Sequence, residues 1–154
     1  MKVVIDTSCI SAFLCAGRLG FLLEVLKEHE LFITEQVLQE LKNCKNEKVK
    51  DFSHPRIKIA SAESAIAEKY GIHIGEASVI SFAKEQGAFA IIDDKKARQA
   101  AIGEKVEFAG TAALIKNGLK KEIINKKEAE EIISGLCENG RLYLSNEIRE
   151  LVCE

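Results

Sequence analysis

The chain has 154 residues, of which 47% are hydrophobic and 30% charged, and its formal net charge is −2. This composition is that of a globular protein, which excludes a disordered chain, and the charge excludes a nucleic-acid binder held by a global positive field. The first apolar run breaks at Asp6, so we expect no signal peptide, no membrane span and a cytoplasmic location. Five cysteines without a C-x-x-C pair agree with a reducing compartment.

Predicted strands and helices alternate along the chain. Short apolar or alternating runs predict strands at residues 2–5, 31–33, 56–60, 88–92 and 105–108. Helical apolar spacing, ended by glycine or polar residues, predicts helices at 8–16, 19–29, 35–42, 61–71, 75–86, 95–102 and 111–117. The alternation favours a parallel sheet covered on both faces. We therefore expect an α/β fold, a three-layer α/β/α sandwich around a central, mostly parallel sheet.

The end of the sequence differs from the rest. Residues 126–154 contain no strand pattern and predict two helices, at 127–138 and 145–153. No linker, repeat or low-complexity segment interrupts the chain. We expect residues 1–154 to form a single domain with 126–154 as its helical C-terminal extension.

Acidic residues follow the two clearest predicted strands. Residues 2–5 lead directly into Asp6, and residues 88–92 lead into Asp93 and Asp94. Ligands of open α/β sheets bind outside the carboxyl ends of the strands, so these acids are expected to share a pocket. Clustered carboxylates repel one another and resist burial unless they are protonated or share a cation. A divalent metal is the simplest resolution.

Two helical acids point to the same edge. Glu40 lies three residues after Val37, near the apolar face of its helix, and Glu76 opens the helix whose apolar stripe contains Ile80 and Ala83. Each acid also has an ordinary interpretation. Asp6 and Asp94 would suit helix N-caps, and Glu40 and Glu76 would suit solvated surface. The residues by themselves leave these alternatives open.

Together, Asp6, Glu40, Glu76 and Asp94 resemble the acidic quartet of the PIN-domain nucleases. The matching segments are VVIDTS at 3–8, VLQEL at 37–41, GEA at 75–77 and IIDD at 91–94. Within that family the chain is most similar to the VapC-like toxin branch that carries GEA and a D-D-x-x-A-R motif. Here that motif is DDKKAR at 93–98, and GRLYLS at 140–145 also fits.

The resemblance implies a metal-dependent endoribonuclease that hydrolyses RNA phosphodiester bonds. Hard oxygen ligands without nearby His or Cys favour Mg²⁺ or Mn²⁺. Asp6 and Asp94 would hold the metal, while Glu40 and Glu76 would complete its shell or orient water. Expected neighbours of this site are Asp93, Thr7 and Ser8 around the ligands and Lys95, Lys96 and Arg98 as phosphate contacts.

The same resemblance implies a biological setting. It predicts the toxin of a type II toxin–antitoxin pair, bound by a small antitoxin protein and forming a homodimer. Two departures from the family pattern keep an alternative open. The third acid is Glu76 where the pattern has Asp, and Ala97 stands where many toxin relatives carry another acid. A PIN-like binding module without catalysis is therefore the alternative function.

A receiver-type phospho-acceptor domain is a more distant alternative. Receiver domains place their acid pair after the first strand and an acceptor Asp mid-chain. Here the pair comes late, at Asp93 and Asp94, and no strand-terminal Asp falls between residues 34 and 90. A thiol nucleophile is also disfavoured, because neither Cys9 nor Cys15 has a histidine close in sequence.

Overall fold

The computed structural model describes residues 1–140, 142, 144 and 149–150. It contains a five-stranded sheet in which every neighbouring pair of strands is parallel. In chain order the strands are β1 (Lys2–Ile5), β2 (Glu30–Thr34), β3 (Ile57–Ala60), β4 (Phe89–Ile91) and β5 (Phe108–Ala109). The sheet order is β3-β2-β1-β4-β5. Helices cover both sides, so the α/β/α architecture predicted from the sequence is confirmed.

Helices connect the strands and follow the last one. In chain order they are α1 (Thr7–Cys15), α2 (Leu19–Val25), α3 (Glu35–Lys42), α4 (Glu47–Lys50), α5 (Ile66–Tyr70), α6 (Ile74–Gln86), α7 (Lys95–Gly103), α8 (Thr111–Lys120) and α9 (Lys126–Glu138). The last of these is a C-terminal helix, as expected. The second predicted C-terminal helix, at 145–153, lies outside the described residues except for 149–150.

The centre of the sheet is built from the first residues of the chain. Val3, Val4 and Ile5 are all buried, and β1 pairs with β2 on one side and β4 on the other. A strand with parallel neighbours and both faces covered is expected to be a continuous run of β-branched residues, which this one is. β1 is therefore the central strand, and the residue that follows it lies at the middle of the sheet edge.

Two predicted elements begin too early. The helix predicted at 61–71 starts only at Ile66, because the carbonyl of Ala62 accepts a hydrogen bond from the Gln36 side chain at 2.6 Å. The strand predicted at 105–108 starts at Phe108. Before it, the Val106 N–H donates to the Ala101 carbonyl at 2.8 Å, so this segment still finishes the end of α7.

Other differences concern lengths. Helix α2 ends at Val25 rather than at residue 29, and α8 runs three residues further than the predicted 111–117, to Lys120. The short helix α4 was not predicted. It is capped by Asn46, whose side chain accepts the Lys48 N–H at 2.9 Å.

Candidate active site

The strand order creates a topological switch point between β1 and β4. The chain moves outward from β1 through β2 to β3 and then returns to the other side of β1 with β4 and β5. The register pairs Ile5 with Ile91, and the Asp6 N–H extends this ladder by donating to the Ile91 carbonyl at 3.1 Å. In doubly wound sheets the ligand crevice opens at this point, outside the carboxyl ends of the strands. Asp6, Asp93 and Asp94 follow these two strands.

Asp6 is buried, with 2% of the residue exposed. Its Oδ1 atom accepts a hydrogen bond from the Thr7 N–H at 2.7 Å, so Asp6 is the N-cap of α1. This agrees with the ordinary interpretation of Asp6 given from the sequence. Capping does not remove the cost of burying its charge. Burial, together with the negative charges of Glu76, Glu40 and Asp93, raises the pKa of Asp6 to about 8 against the lowering effect of the Thr7 bond. Asp6 is thus an N-cap and also faces the other acids.

Glu40 lies on α3 with its side chain directed at the starts of two other helices. Its Oε1 atom accepts a hydrogen bond from the Thr7 hydroxyl at 3.0 Å. The same atom is 1.5 Å from the position that a Cβ on Gly75 would occupy. The residue is exposed, yet its carboxylate lies between the first turn of α1 and the first turn of α6.

Glu76 occupies the first turn of α6 and is half-buried. Its Oε1 atom accepts the His73 N–H at 3.1 Å, which closes the N-terminus of the helix. Burial raises the pKa of Glu76, and the charges of Asp94 and Glu40 act in the same direction. The charges of Glu40, Glu76 and Asp93 thus act on Asp6, and those of Glu40 and Asp94 act on Glu76.

The neighbours Asp93 and Asp94 do different things. Asp94 is exposed, and its Oδ2 atom accepts the Ala97 N–H at 3.0 Å, so it caps α7. Asp93 instead accepts two bonds from Thr111, at 2.8 Å from the backbone N–H and 2.6 Å from the hydroxyl. Asp93 is therefore fixed to the start of α8, while Asp94 is exposed at the start of α7.

Of the basic residues after Asp94, one contacts the protein and two are exposed to solvent. Arg98 donates from Nε to the Ile92 carbonyl at 2.9 Å, and its Nη2 atom lies 3.6 Å from Asp93 Oδ1. Lys95 and Lys96 are exposed on the first turn of α7, and Ser8 is exposed on the first turn of α1. Arg98 holds the end of β4, whereas the two lysines are available to solvent.

Three residues with positioning roles were missed from the sequence. Gly75 makes room for Glu40, Thr111 holds Asp93, and Ser78 joins α6 to the start of α3 through Thr34 at 2.7 Å. Ser78 and Thr34 are both fully buried polar residues. The sequence shows Ser78 three positions after Gly75, and this residue lies on the buried side of α6. Its place in the sequence does not indicate which residue Ser78 would contact.

Cys9 lies beside this cluster but is not a nucleophile. Its side chain is fully buried, with Sγ 3.6 Å from the Thr111 hydroxyl. Burial, followed by the negative charge of Asp93, raises the pKa of the thiol well above its ordinary value. Since the thiolate is the reactive form, Cys9 stays inert, as the sequence indicated.

The side chains of this site have the chemistry, though not a ready arrangement, of ligands for a hard divalent cation. They are carboxylates, and the ionised form of buried Asp6 is disfavoured by three neighbouring acids, which a cation would reverse. Among the described residues no three Asp, Glu, His or Cys side chains are arranged to hold one ion. Mg²⁺ needs no such arrangement, because it is usually bound by one or two carboxylates and keeps several waters.

A doubly wound parallel sheet with coupled carboxylates at its switch point defines an α/β protein with an acidic candidate active centre. The model of the family DUF3368, described as "PIN domain", matches residues 2–154, and the chain belongs to this family. PIN domains are generally nucleases, which indicates a hydrolase acting on nucleic acid. No curated protein and no solved structure matches the chain. Within the part of the chain that the structure describes, no helix has the length and apolarity to cross a membrane.

Proposed function

We propose that this protein is a metal-dependent endoribonuclease. The observation that carries the proposal is the burial of Asp6 at the switch point, facing Glu40, Glu76 and Asp93. A structural N-cap needs no further acids around it, and each additional negative charge makes its ionised form less favourable. A bound cation would offset the repulsion among these carboxylates and would allow a negatively charged phosphodiester to approach them.

The residues have separable roles in this proposal. Asp6 and Asp94, at the ends of adjacent strands, hold the metal, and Glu40 and Glu76 approach from α3 and α6 to complete its shell or orient water. When bound, Mg²⁺ or Mn²⁺ supplies charge neutralisation at the phosphate and favours deprotonation of water at neutral pH. Thr7 orients Glu40, and Asp93 fixes the chain segment that presents Asp94.

Substrate attraction must come from local charge. The net charge is −2, so long-range attraction of RNA is absent, and an acidic crevice repels phosphate when no cation is bound. Lys95 and Lys96 are exposed directly after Asp94 and would contact phosphates flanking the cleaved bond. Arg98 already binds the Ile92 carbonyl and lies beside Asp93, so its contribution to phosphate binding is smaller.

The decisive experiment is cleavage of a defined single-stranded RNA by metal-free protein to which Mg²⁺ or Mn²⁺ is added back. The Asp6→Asn protein is expected to lose about 100-fold or more in cleavage rate. Asp51→Asn is the matched control, because Asp51 is exposed at the end of α4. A DNA strand of the same sequence tests the restriction to RNA. Equal cleavage by wild-type and Asp6→Asn proteins would show that another site or a contaminant is responsible.

The biological setting is proposed from the GEA and DDKKAR motifs. They support a VapC-like toxin that acts in the cytoplasm as a homodimer, is neutralised by a small antitoxin protein, and forms a single domain over residues 1–154. Induced expression in cells should then arrest growth, and Asp6→Asn should relieve the arrest. Light scattering of purified protein at a monomer mass would remove the homodimer from the proposal.

One observation favours the alternative of a binding module without catalysis. The described residues contain no ready group of three metal ligands. Calorimetry with Mn²⁺ separates the two functions. A nuclease should bind the ion and lose binding on Asp6→Asn, whereas a module that has lost catalysis should bind it weakly in both forms.

A further inference from the structure

Gly75, the glycine of the GEA segment, has no conformational reason to be glycine. It is the second residue of α6, and the glycines with positive φ among the described residues are Gly17, Gly71 and Gly87. A glycine in a helix is less stable than an alanine at the same position. Something other than backbone conformation must therefore account for Gly75.

The space beside Gly75 is filled by Glu40. A Cβ at this position would lie 1.5 Å from Glu40 Oε1, 2.7 Å from its Cδ and 3.2 Å from Oε2. All three atoms belong to the carboxylate group. This is the shortest such distance at any glycine among the described residues, and a Cβ at Gly20, another helical glycine, would meet nothing within 4 Å.

The same carboxylate oxygen of Glu40 is also held by Thr7. The Thr7 hydroxyl donates to Glu40 Oε1 at 3.0 Å. Glu40 is exposed and on a flexible side chain, so ordinary packing does not hold its carboxylate in place. The contact with the first turn of α6 also lies at the positive end of the helix dipole, which favours an anion.

We propose that Gly75 is a positioning residue that admits the Glu40 carboxylate against the first turn of α6, where Thr7 fixes it beside Glu76. An added methyl group would turn Glu40 outward, and the bond from Thr7 would be lost. The pre-placed carboxylate belongs to the metal-free protein, so this part of the proposal is independent of any activity. Its consequence for cleavage rests on the proposed nuclease function.

The first test follows the Glu40 carboxyl carbon by NMR in metal-free protein. Gly75→Ala adds a methyl group against the carboxylate and Thr7→Val removes its hydrogen-bond donor, so both are expected to shift its resonance. Gly20→Ala is the matched control and should leave it unchanged. A Glu40 resonance that is the same in Gly75→Ala as in wild-type protein overturns the proposal. Failure of Gly75→Ala to fold would also overturn the proposal, because an exposed Glu40 side chain should be able to turn away from the added methyl group.

The second test is kinetic. Gly75→Ala is expected to lower kcat about 10- to 100-fold with a smaller effect on KM, because the carboxylate is misplaced while the RNA surface is kept. Its thermal midpoint should be no lower than that of wild type, since the added methyl group favours the helix and Glu40 can turn outward. Gly20→Ala should have wild-type kcat.

A double variant separates displacement of Glu40 from other damage. In the Gly75→Ala, Glu40→Ala protein the methyl group has no carboxylate to displace, so kcat should equal that of Glu40→Ala. Additive losses overturn the proposal. Absence of cleavage by wild-type protein with either metal would refute the nuclease, while the NMR result would still decide whether Gly75 positions Glu40.

Discussion

The carboxylate of Asp93 accepts two hydrogen bonds from Thr111, one on each oxygen. The backbone N–H is 2.8 Å from Oδ1, and the hydroxyl is 2.6 Å from Oδ2. Thr111 is fully buried and begins α8 directly after β5. The pair therefore joins the end of β4 to the start of a helix that follows the neighbouring strand, and it fixes the segment from which Asp94 projects.

Thr111→Val removes the hydroxyl and keeps the shape of the side chain. It should lower the free energy of unfolding by about 1–3 kcal/mol, because Asp93 loses a charge-assisted bond in a largely buried place. Urea unfolding at pH 7 measures the change. Thr111→Ser retains the hydroxyl and should keep most of the stability; equal losses in the two variants would assign the effect to the methyl group.

The starts of α3 and α6 are joined by a buried chain of hydrogen bonds. Ser78 donates to the Gly75 carbonyl at 2.6 Å, so its single hydroxyl proton is used, and Thr34 must be the donor in their mutual bond of 2.7 Å. The Thr34 oxygen also accepts the Val37 N–H at 3.1 Å. This chain sets the distance between the helices that carry Glu40 and Glu76.

Ser78→Ala should cost about 1–3 kcal/mol of unfolding free energy, because the buried Thr34 proton loses its acceptor. Thr34→Val should cost a similar amount, and the double variant should lose less than their sum, by about 0.5–3 kcal/mol. Urea unfolding of the four proteins measures the coupling, with Ser81→Ala on the same helix as a control. Simple additivity would contradict the bond between Thr34 and Ser78.

Much of this fold could be predicted because local signals agreed with the tertiary structure. Residues 3–5 of β1 are all β-branched, Thr34 caps α3 through Val37, and Gly87 ends α6 in the left-handed conformation that favours glycine. The predicted element boundaries were wrong where a residue distant in sequence determines the local backbone structure. Gln36 takes the Ala62 carbonyl and delays α5, which no propensity of residues 61–65 reveals.

The candidate site shows the same division. The places of Asp6 and Asp94 at strand ends follow from sequence periodicity, since parallel strands end on a common edge. The separate roles of Asp93 and Asp94 do not, because they depend on Thr111, 18 residues from Asp93 along the chain. The reason for Gly75 depends on Glu40 on another helix, so the GEA motif could be seen but not explained.

Asp6 should make the metal-free protein less stable as the pH rises. Its pKa in the folded chain is about 8, above the ordinary 3.8, so the folded state binds the proton more tightly than the unfolded state. The stability associated with protonated Asp6 is therefore complete below about pH 4 and is lost as the pH rises through about 8. Glu76, whose pKa is also raised, contributes in the same direction.

Asp6→Asn removes this titration, because the amide stays neutral. Its free energy of unfolding, measured in EDTA from pH 5 to 9, should fall less steeply than that of wild type, with a difference on the order of 1–5 kcal/mol across the range. Adding Mg²⁺ at pH 8 should stabilise wild-type protein more than Asp6→Asn. Parallel pH profiles of the two proteins would contradict the burial of an ionisable group at this position.

Asp93→Asn and Asp94→Asn should have different effects on the free energy of unfolding and on the cleavage rate. Asp94→Asn keeps a good N-cap for α7 and removes an exposed charge, so unfolding should change by less than about 0.5 kcal/mol. Asp93→Asn places an NH₂ group where Thr111 or Arg98 donates, so it should cost about 1–3 kcal/mol.

Cleavage by these two variants should follow the opposite order. Asp94→Asn is expected to lose about 100-fold or more in rate, because a proposed metal ligand becomes a neutral amide. Asp93→Asn, assayed where it is fully folded, should lose less, because both oxygens of its carboxylate already accept hydrogen bonds from Thr111. The measurements are urea unfolding and RNA cleavage on the same preparations. A stable, inactive Asp93→Asn protein beside an unstable, active Asp94→Asn protein would reverse the assignment and make Asp93 the metal ligand.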